Sequence, residues 1–311
     1  MKRTIVLLLA LFVASTSLRA QQLNYNVEYD NPDIDPFWIL NLQFLDLEVM
    51  SDNLSGLTFN VGLWGVVEPV NRIGIDYKLR RSILSFASFN YDGNPTLNDI
   101  QVGGYLTLSS KVKTKNTKIV LDIDEQDSYD GNTRTTTSTY IVIPAQRRTE
   151  FMVRGGYYHF SSAMDAEGLL AYGGDENTIA AFSEDVGRAN YNGLYAGINL
   201  RNITNVFTRV DGWGYQFNSI ASNFYADVLL IDATFTDPQV DGEPDVTDQV
   251  KDTRDALPVG FRIGLSGYQI EKKDRTDKKF GLSYNFEFGY RPYMGYFVGG
   301  GIGMTLVKMT K

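Results

Sequence analysis

Apolar and polar residues alternate along most of this chain. Phe280, Leu282, Tyr284, Phe286, Phe288 and Tyr290 are apolar or aromatic, while Gly281, Ser283, Asn285, Glu287 and Gly289 between them are small or polar. Ile73, Ile75, Tyr77 and Leu79 alternate with Arg72, Gly74, Asp76, Lys78 and Arg80. Ile100, Val102, Leu106 and Leu108 alternate with Gln101, Gly103, Tyr105 and Thr107. The same rule runs through Leu57 to Val67, Thr117 to Ile123, Phe151 to Tyr157, Leu194 to Leu200, Phe224 to Leu230, Phe261 to Gly267 and Tyr296 to Leu306. Successive side chains of an extended strand point to opposite faces, so each segment predicts a β-strand with one apolar face.

Length decides which medium meets that face. Soluble strands are commonly about 5 to 6 residues long. These segments run to about 9 to 13, which suits the tilted membrane strand of about 9 to 11. A membrane barrel turns apolar side chains to lipid and small or polar ones to the lumen. Backbone groups in lipid have no water to bond, so such a sheet must close on itself. The expected fold is all-β, a transmembrane antiparallel up-and-down barrel.

Twelve strands are predicted, near 56–67, 71–80, 83–91, 100–112, 116–124, 137–145, 148–161, 193–202, 223–235, 258–270, 279–290 and 294–307. With these, the long connections 92–99, 124–137, 161–191 and 236–257 all emerge on one side, as outer loops do. Fourteen strands result if Phe37–Met50 and Val206–Phe217 also span. The alternation of Phe37–Met50 slips midway, as a β-bulge would cause.

The first twenty residues predict a secretory signal peptide. Lys2 and Arg3 precede the apolar run Ile5 to Val13, and small residues lead to a cleavage point after Ala20. That run is too short for a membrane-spanning helix, which needs about 20 apolar residues. The organisation is therefore signal peptide 1–20, an N-terminal periplasmic segment 21–55 holding the candidate strand 37–50, and a barrel over 56–311. Cleavage removes Lys2, Arg3 and Arg19 and takes the formal charge from −8 to −11, which argues against nucleic acid as a partner. There is no cysteine, hence no disulfide framework, thiolate metal site or lipid-attachment residue. Glycine (29), tyrosine (19) and phenylalanine (18) are all abundant. Glycine relieves crowding where a sheet curves, and aromatics pack or sit at an interface.

The signal peptide, aromatic period-two segments and polar loops together resemble bacterial outer-membrane β-barrel proteins. Gln21-Gln22 after the cleavage point is similar to what Bacteroidetes proteins show. The resemblance is architectural and covers nearly the whole mature chain. It implies residence in the outer membrane, with lipid, small solutes or an envelope protein as partners. Proteins of this kind commonly end in an aromatic residue, whereas this sequence ends Leu306-Val307-Lys308-Met309-Thr310-Lys311.

Charges of both signs fall on the inner face by alternation. They are Arg72, Lys78, Arg80, Lys118, Arg154, Arg201 and Arg262 against Asp76, Asp122, Asp124, Asp227 and Glu287. Charged walls set ion preference in pores, and a near-even mix also suits pairing that fills a narrow barrel. The single histidine, His159, shares a face with Ser161, which is the spacing of a general base and a nucleophile. An outward H-x-S resembles outer-membrane acyl hydrolases, which need a third group to orient the histidine. Asp165, Glu167 and Asp175 are near in sequence but match no arrangement. The acidic loop 236–257 has no EF-hand spacing, so neither a metal nor a cofactor is expected. The functional expectation is a passive pore or small-solute channel. The alternatives are a closed structural or partner-binding barrel and an acyl hydrolase using His159 and Ser161.

Overall fold

The computed structural model describes residues 23–33, 37–50, 53–85, 98–127, 134–165, 186–236, 245–252, 258–270, 281–292 and 294–309. The signal peptide, most of the loop 161–191 and the charged turn 271–279 lie outside these residues. Eleven strands are present: β1 (Tyr25–Asp30), β2 (Phe37–Met50), β3 (Asn53–Val70), β4 (Ile73–Ser85), β5 (Asn98–Asp127), β6 (Arg134–Asp165), β7 (Val186–Val210), β8 (Gly214–Thr236), β9 (Val259–Gln269), β10 (Gly281–Arg291) and β11 (Gly295–Met309). A short helix, α1 (Thr247–Asp252), follows β8.

Strands β2 to β11 pair in chain order, and β11 returns to β2 through a register running from Phe297↔Met50 to Met309↔Phe37. The sheet is therefore a closed barrel of ten strands, with β1 added on β7. Ten differs from the expected twelve for identifiable reasons. The segments 100–112 and 116–124 are one strand, β5, because Lys-Thr-Lys-Asn at 113–116 is polar and exposed yet contains nothing that forces a turn. The segments 137–145 and 148–161 are likewise one strand, β6; its buried positions change parity between Ala145 and Arg148, which hid the continuity. The break expected between 80 and 83 is absent, since β4 runs through it with a register shift opposite Phe59 and Asn60. The candidate 83–91 is therefore the end of β4 as far as Ser85.

Phe37–Met50 is a barrel strand rather than part of a periplasmic segment. Its slip is a bulge: Phe44 and Leu45 both face outward, and the register shifts between Gln43 and Asp46. Val206–Phe217 is no separate strand but the hairpin of β7 and β8 around a turn at 211–213. In chain order the long connections 86–97, 166–185 and 237–258 each follow an even-numbered strand, whereas the β5–β6 connection follows an odd-numbered one. Residues 124–127 and 134–137, expected in an outer loop, are strand.

The chain forms two compact units. One comprises β1 with residues 116–145 and 206–218 and has its own core of Ile119, Ile143, Ala145 and Val206, against which Val27, Leu121 and Ile141 pack. The other holds the rest of the described chain and carries the ring. Its burial is inverted relative to a soluble protein. On β10, Leu282 is 66 % exposed and Phe286 49 %, while Ser283 and Glu287 are 2 % and 4 %. At the loop end, Phe261, Phe288, Tyr290 and Tyr296 form a ring cluster with centroids 5.3 to 6.5 Å apart, the position of an aromatic girdle.

Candidate functional site

The middle layer of the ring's interior is ionic. The bulge in β2 is what turns Asp46 and Glu48 inward after Asn41 and Gln43. Arg80 of β4 donates to Asp46 Oδ1 at 3.0 Å, to Asp99 Oδ2 at 2.8 Å and to Glu48. Glu48 also accepts from Arg291 Nη1 at 2.7 Å. Arg291 Nε donates to the Tyr158 hydroxyl at 2.8 Å, and its guanidinium lies 3.7 Å from the ring centroids of both Phe160 and Phe297. That sandwich gives a weakly hydrated cation two π-faces in place of water.

The chain of charges continues across the barrel. Lys78 Nζ is 3.8 Å from Asp99 and donates to Glu287 at 2.6 Å. Tyr225 donates its hydroxyl to the same Glu287. Arg262 holds Asp227 Oδ2 through Nε and Nη2 at 3.0 and 2.6 Å and donates to Gln101. Arg154 Nη2 donates to Asp76 at 2.8 Å, with Nε 3.5 Å from Asp227. Acid and base thus alternate from Arg291 to Asp76 over β10, β2, β4, β5, β9, β8 and β6. A second group joins β3, β5, β6 and β7: Arg201 donates to Glu68 at 2.7 Å and to Glu150 at 2.5 Å, and Tyr105 donates to Glu68 at 2.6 Å.

Apolar layers flank the ionic one. Toward the loop end lie Tyr158, Phe160, Tyr191, Leu229, Ile231, Phe235 and Phe297, all 4 % exposed or less, joined by Val246 from the β8–β9 connection. Val246 is held there by its N–H to Phe235 O (2.9 Å), and Thr247 Oγ1 accepts from Phe235 N at 2.8 Å. Toward the chain termini lie Ile39, Ile203, Ala221, Tyr268 and Ile270. Between this second layer and the ionic chain is a chamber of about 70 Å³ whose walls include Trp64, Tyr105, Arg154, Asn199, Asn223 and Tyr225.

Of the charges placed on the inner face by alternation, Asp76, Lys78, Arg80, Arg154, Arg201, Asp227, Arg262 and Glu287 sit in these groups. Four lie elsewhere. Arg72 is exposed in the β3–β4 turn with φ 77°, a left-handed conformation. Lys118 is exposed with its ammonium 3.9 Å from the Tyr140 ring centroid, and Asp122 and Asp124 are exposed as well. These three belong to the smaller unit, where the inward face of β5 carries Ile119 and Leu121. Alternation overlooked Asp46, Glu48, Glu68, Asp99, Glu150 and Arg291. Asp46 and Glu48 alternate with Leu45, Leu47 and Val49, a signal available once Phe37–Met50 is counted as spanning.

His159 is half-buried and Ser161 buried (5 % exposed) on β6, and they face asparagines of β7 across the register pairs His159↔Asn192 and Ser161↔Asn190. His159 Nδ1 is 2.8 Å from Asn192 Oδ1, which also accepts from Tyr157 at 2.9 Å. An amide oxygen only accepts, so Nδ1 is the donor in this contact. Among the described residues, the side chain that fixes the His159 ring through Nδ1 is Asn192. The Ser161 hydroxyl donates to Asn190 Oδ1 at 2.6 Å. In the acidic loop, hydrogen bonds from Thr247 hold the Asp245 carboxyl below the usual carboxylate range. Among the described residues no group of His, Cys, Asp and Glu is arranged to hold a metal ion.

No protein-family model and no curated protein sequence matches this chain. Among solved structures, an anion-selective porin from Comamonas acidovorans is 10 % identical with a TM-score of 0.18, over 92 % of this chain and all of that one. CymD, a monoaromatic hydrocarbon channel, is 7 % identical with a TM-score of 0.27, over 90 % of this chain and 92 % of that one. A loop-deletion mutant of OmpT, an outer membrane protein of Vibrio cholerae, is 7 % identical with a TM-score of 0.19, over 91 % and 99 %. Nothing about particular residues passes from these proteins to this chain at such scores.

Proposed function

We propose that this chain is an outer-membrane β-barrel whose lumen is shut at rest, a closed scaffold or a gated channel rather than a continuously open pore. The membrane half of the reading rests on the outer face of the ring, where side chains such as Leu194, Leu282 and Phe286 would each forfeit about 1.5 to 3 kcal/mol of burial in water. The closed half rests on one observation, the alternating chain of ion pairs from Arg291 to Asp76. Desolvated charges are tolerable only when partnered. A solute passing the waist would have to part several of these pairs at once and also displace the apolar layers on either side. Purified, folded protein in planar bilayers is therefore expected to show no steady conductance at low voltage. A stable open current from the wild-type chain would overturn the closed reading.

A second reading is favoured by Asn192. A histidine with Nδ1 fixed by an amide and Ser161 two residues along the same strand are the parts of an acyl-transfer site at the lipid boundary. Catalysis would require the Ser161 hydroxyl to leave Asn190 and turn its proton toward His159 Nε2. The expected signature is fatty-acid release from phospholipid micelles that His159→Ala abolishes and Asn192→Ala lowers by about tenfold or more. Protein that releases no fatty acid, or releases it equally with His159→Ala, leaves these residues as a polar ladder at the rim.

A further inference from the structure

We propose that the open edge of β5 from Ser109 to Lys113 is a docking surface for an extended acidic segment of another polypeptide, which adds to the sheet as a further strand. β5 outruns its neighbour. Its pairing with β4 ends at Ile73↔Leu106, followed by one bond from Thr107 N–H to Arg72 O at 2.8 Å. Beyond that point β4 has given way to the β3–β4 turn, while β5 runs on as strand to Asp127. The strands beside β5 among the described residues are β4 and β6 alone. In an antiparallel strand the N–H and C=O of one residue point to the same side, and that side alternates along the chain. Thr107 points to β4, so Ser109, Lys111 and Lys113 turn their backbone groups the same way, where no described strand receives them. Odd positions stay on the inward face from Gln101 through Ile119, so no bulge changes this parity.

The side chains select the partner. Residues 111 to 115 are exposed on both faces of the strand, so this stretch pairs with β6 and covers no core. Lys111 and Lys113 share one face at a spacing of about 6.8 Å, and Lys115 continues the row. Among the described residues neither Lys111 nor Lys113 has a carboxylate partner. Val112, on the other face between them, is 46 % exposed. Lysine on an open edge opposes pairing with a second copy, because that would set one row of cations directly across from another. A strand with Asp or Glu at every second position meets the reverse situation. Each carboxylate then lies across from a lysine on the same face, with β-carbons about 4.5 to 5.5 Å apart, and an apolar residue between two acids lies beside Val112. The backbone ladder supplies the binding and the alternate side chains the choice of sequence. The chain already contains one added strand of this kind, since β1 lies along β7 from Tyr25↔Val210 to Asp30↔Val206.

The surface does not depend on whether the waist ever opens. The test uses the full mature chain folded in detergent and a fluorescein-labelled peptide, Thr-Glu-Val-Glu-Val-Glu-Thr, read by fluorescence anisotropy. Saturable binding is expected. A peptide of the same composition with its three glutamates consecutive, and one N-methylated at the glutamates, are each expected to bind roughly tenfold more weakly or worse. Lys111→Glu with Lys113→Glu should lose the glutamate peptide by a similar factor and gain the matching lysine peptide. Both positions are exposed, so heat-modifiable mobility should be kept. Ser109→Pro removes an edge N–H and no lysine, and it should also weaken binding. Equal binding of the consecutive-glutamate or N-methylated peptide overturns strand addition, and so does unchanged affinity in the double charge reversal. Loss of peptide binding when phosphatidylglycerol is mixed into the micelles would assign the lysines to lipid headgroups and overturn the proposal. A dimer of the chain alone that the double reversal dissolves would give the edge to a second copy and overturn it as well.

Discussion

Replacing Glu48 with alanine is expected to destabilise the barrel by about 3 to 5 kcal/mol, the range for breaking a buried ion pair from one side. Glu48 is fully buried and bonds two guanidiniums at once. Arg80 keeps Asp46 and Asp99 after the substitution, but Glu48 is the only carboxylate paired with Arg291 among the described residues. Arg291 would then be a cation held by Tyr158 and two aromatic faces, with no anion. Removing both charges, as Glu48→Ala with Arg291→Met, should cost clearly less than the sum of the single changes, because the double variant leaves neither partner stranded. The measurement is the urea midpoint in detergent, with heat-modifiable gel mobility as the check on closure. A loss below about 1 kcal/mol for Glu48→Ala would mean that water reaches this layer and screens it.

The second large effect is expected from Gly264→Val, and its sign separates packing from propensity. Valine is the better strand former by about 1 kcal/mol or less, so propensity alone predicts a gain. The structure predicts a loss. A β-carbon at Gly264 would meet the ring and hydroxyl of Tyr225, which cannot retreat because it donates to Glu287 and lies under the guanidiniums of Arg154 and Arg262, at 4.6 and 5.4 Å. Forcing the ring aside should cost about 1 to 3 kcal/mol of overpacking, with the Glu287 hydrogen bond lost as well. Tyr105 covers Gly74 in the same manner. Tyr225→Ala combined with Gly264→Val should lose little beyond Tyr225→Ala alone, as read from urea midpoints. Equal stability of wild type and Gly264→Val would show that Tyr225 has room to move.

The contrast between β2 and β10 shows what the sequence made legible. On β10 the alternation from Leu282 to Tyr290 is unbroken, so its outward and inward sets could be read directly. On β2 the bulge at Phe44 and Leu45 puts two apolar residues outward in succession. A period-two reading fails there, and with it went Asp46 and Glu48, two central members of the ionic chain. The overcount of strands has a related origin. Polar stretches such as 113–116 resemble turns when only hydrophobicity is read, whereas a strand is ended by loss of pairing, and β5 does not lose it.

The H-x-S pair shows the same boundary at the level of a site. The spacing put His159 and Ser161 on one face, which a strand guarantees. It could not find Asn192, thirty-three residues away and adjacent only through the register of β6 with β7, nor show that Ser161 bonds Asn190 instead of His159.

The sequence by itself determined the inverted burial of this protein, because the direction of a strand side chain depends only on its parity, and parity is local. It also determined that the inner face would carry charges of both signs. Only the tertiary structure decided that ten strands close the ring, that the inward charges meet in an alternating chain and a smaller second group, and that a small chamber remains beside them. Pairing is a property of register and curvature, which bring Lys78 to Glu287 and Arg80 to Glu48 across the lumen, and no spacing along the chain encodes those distances.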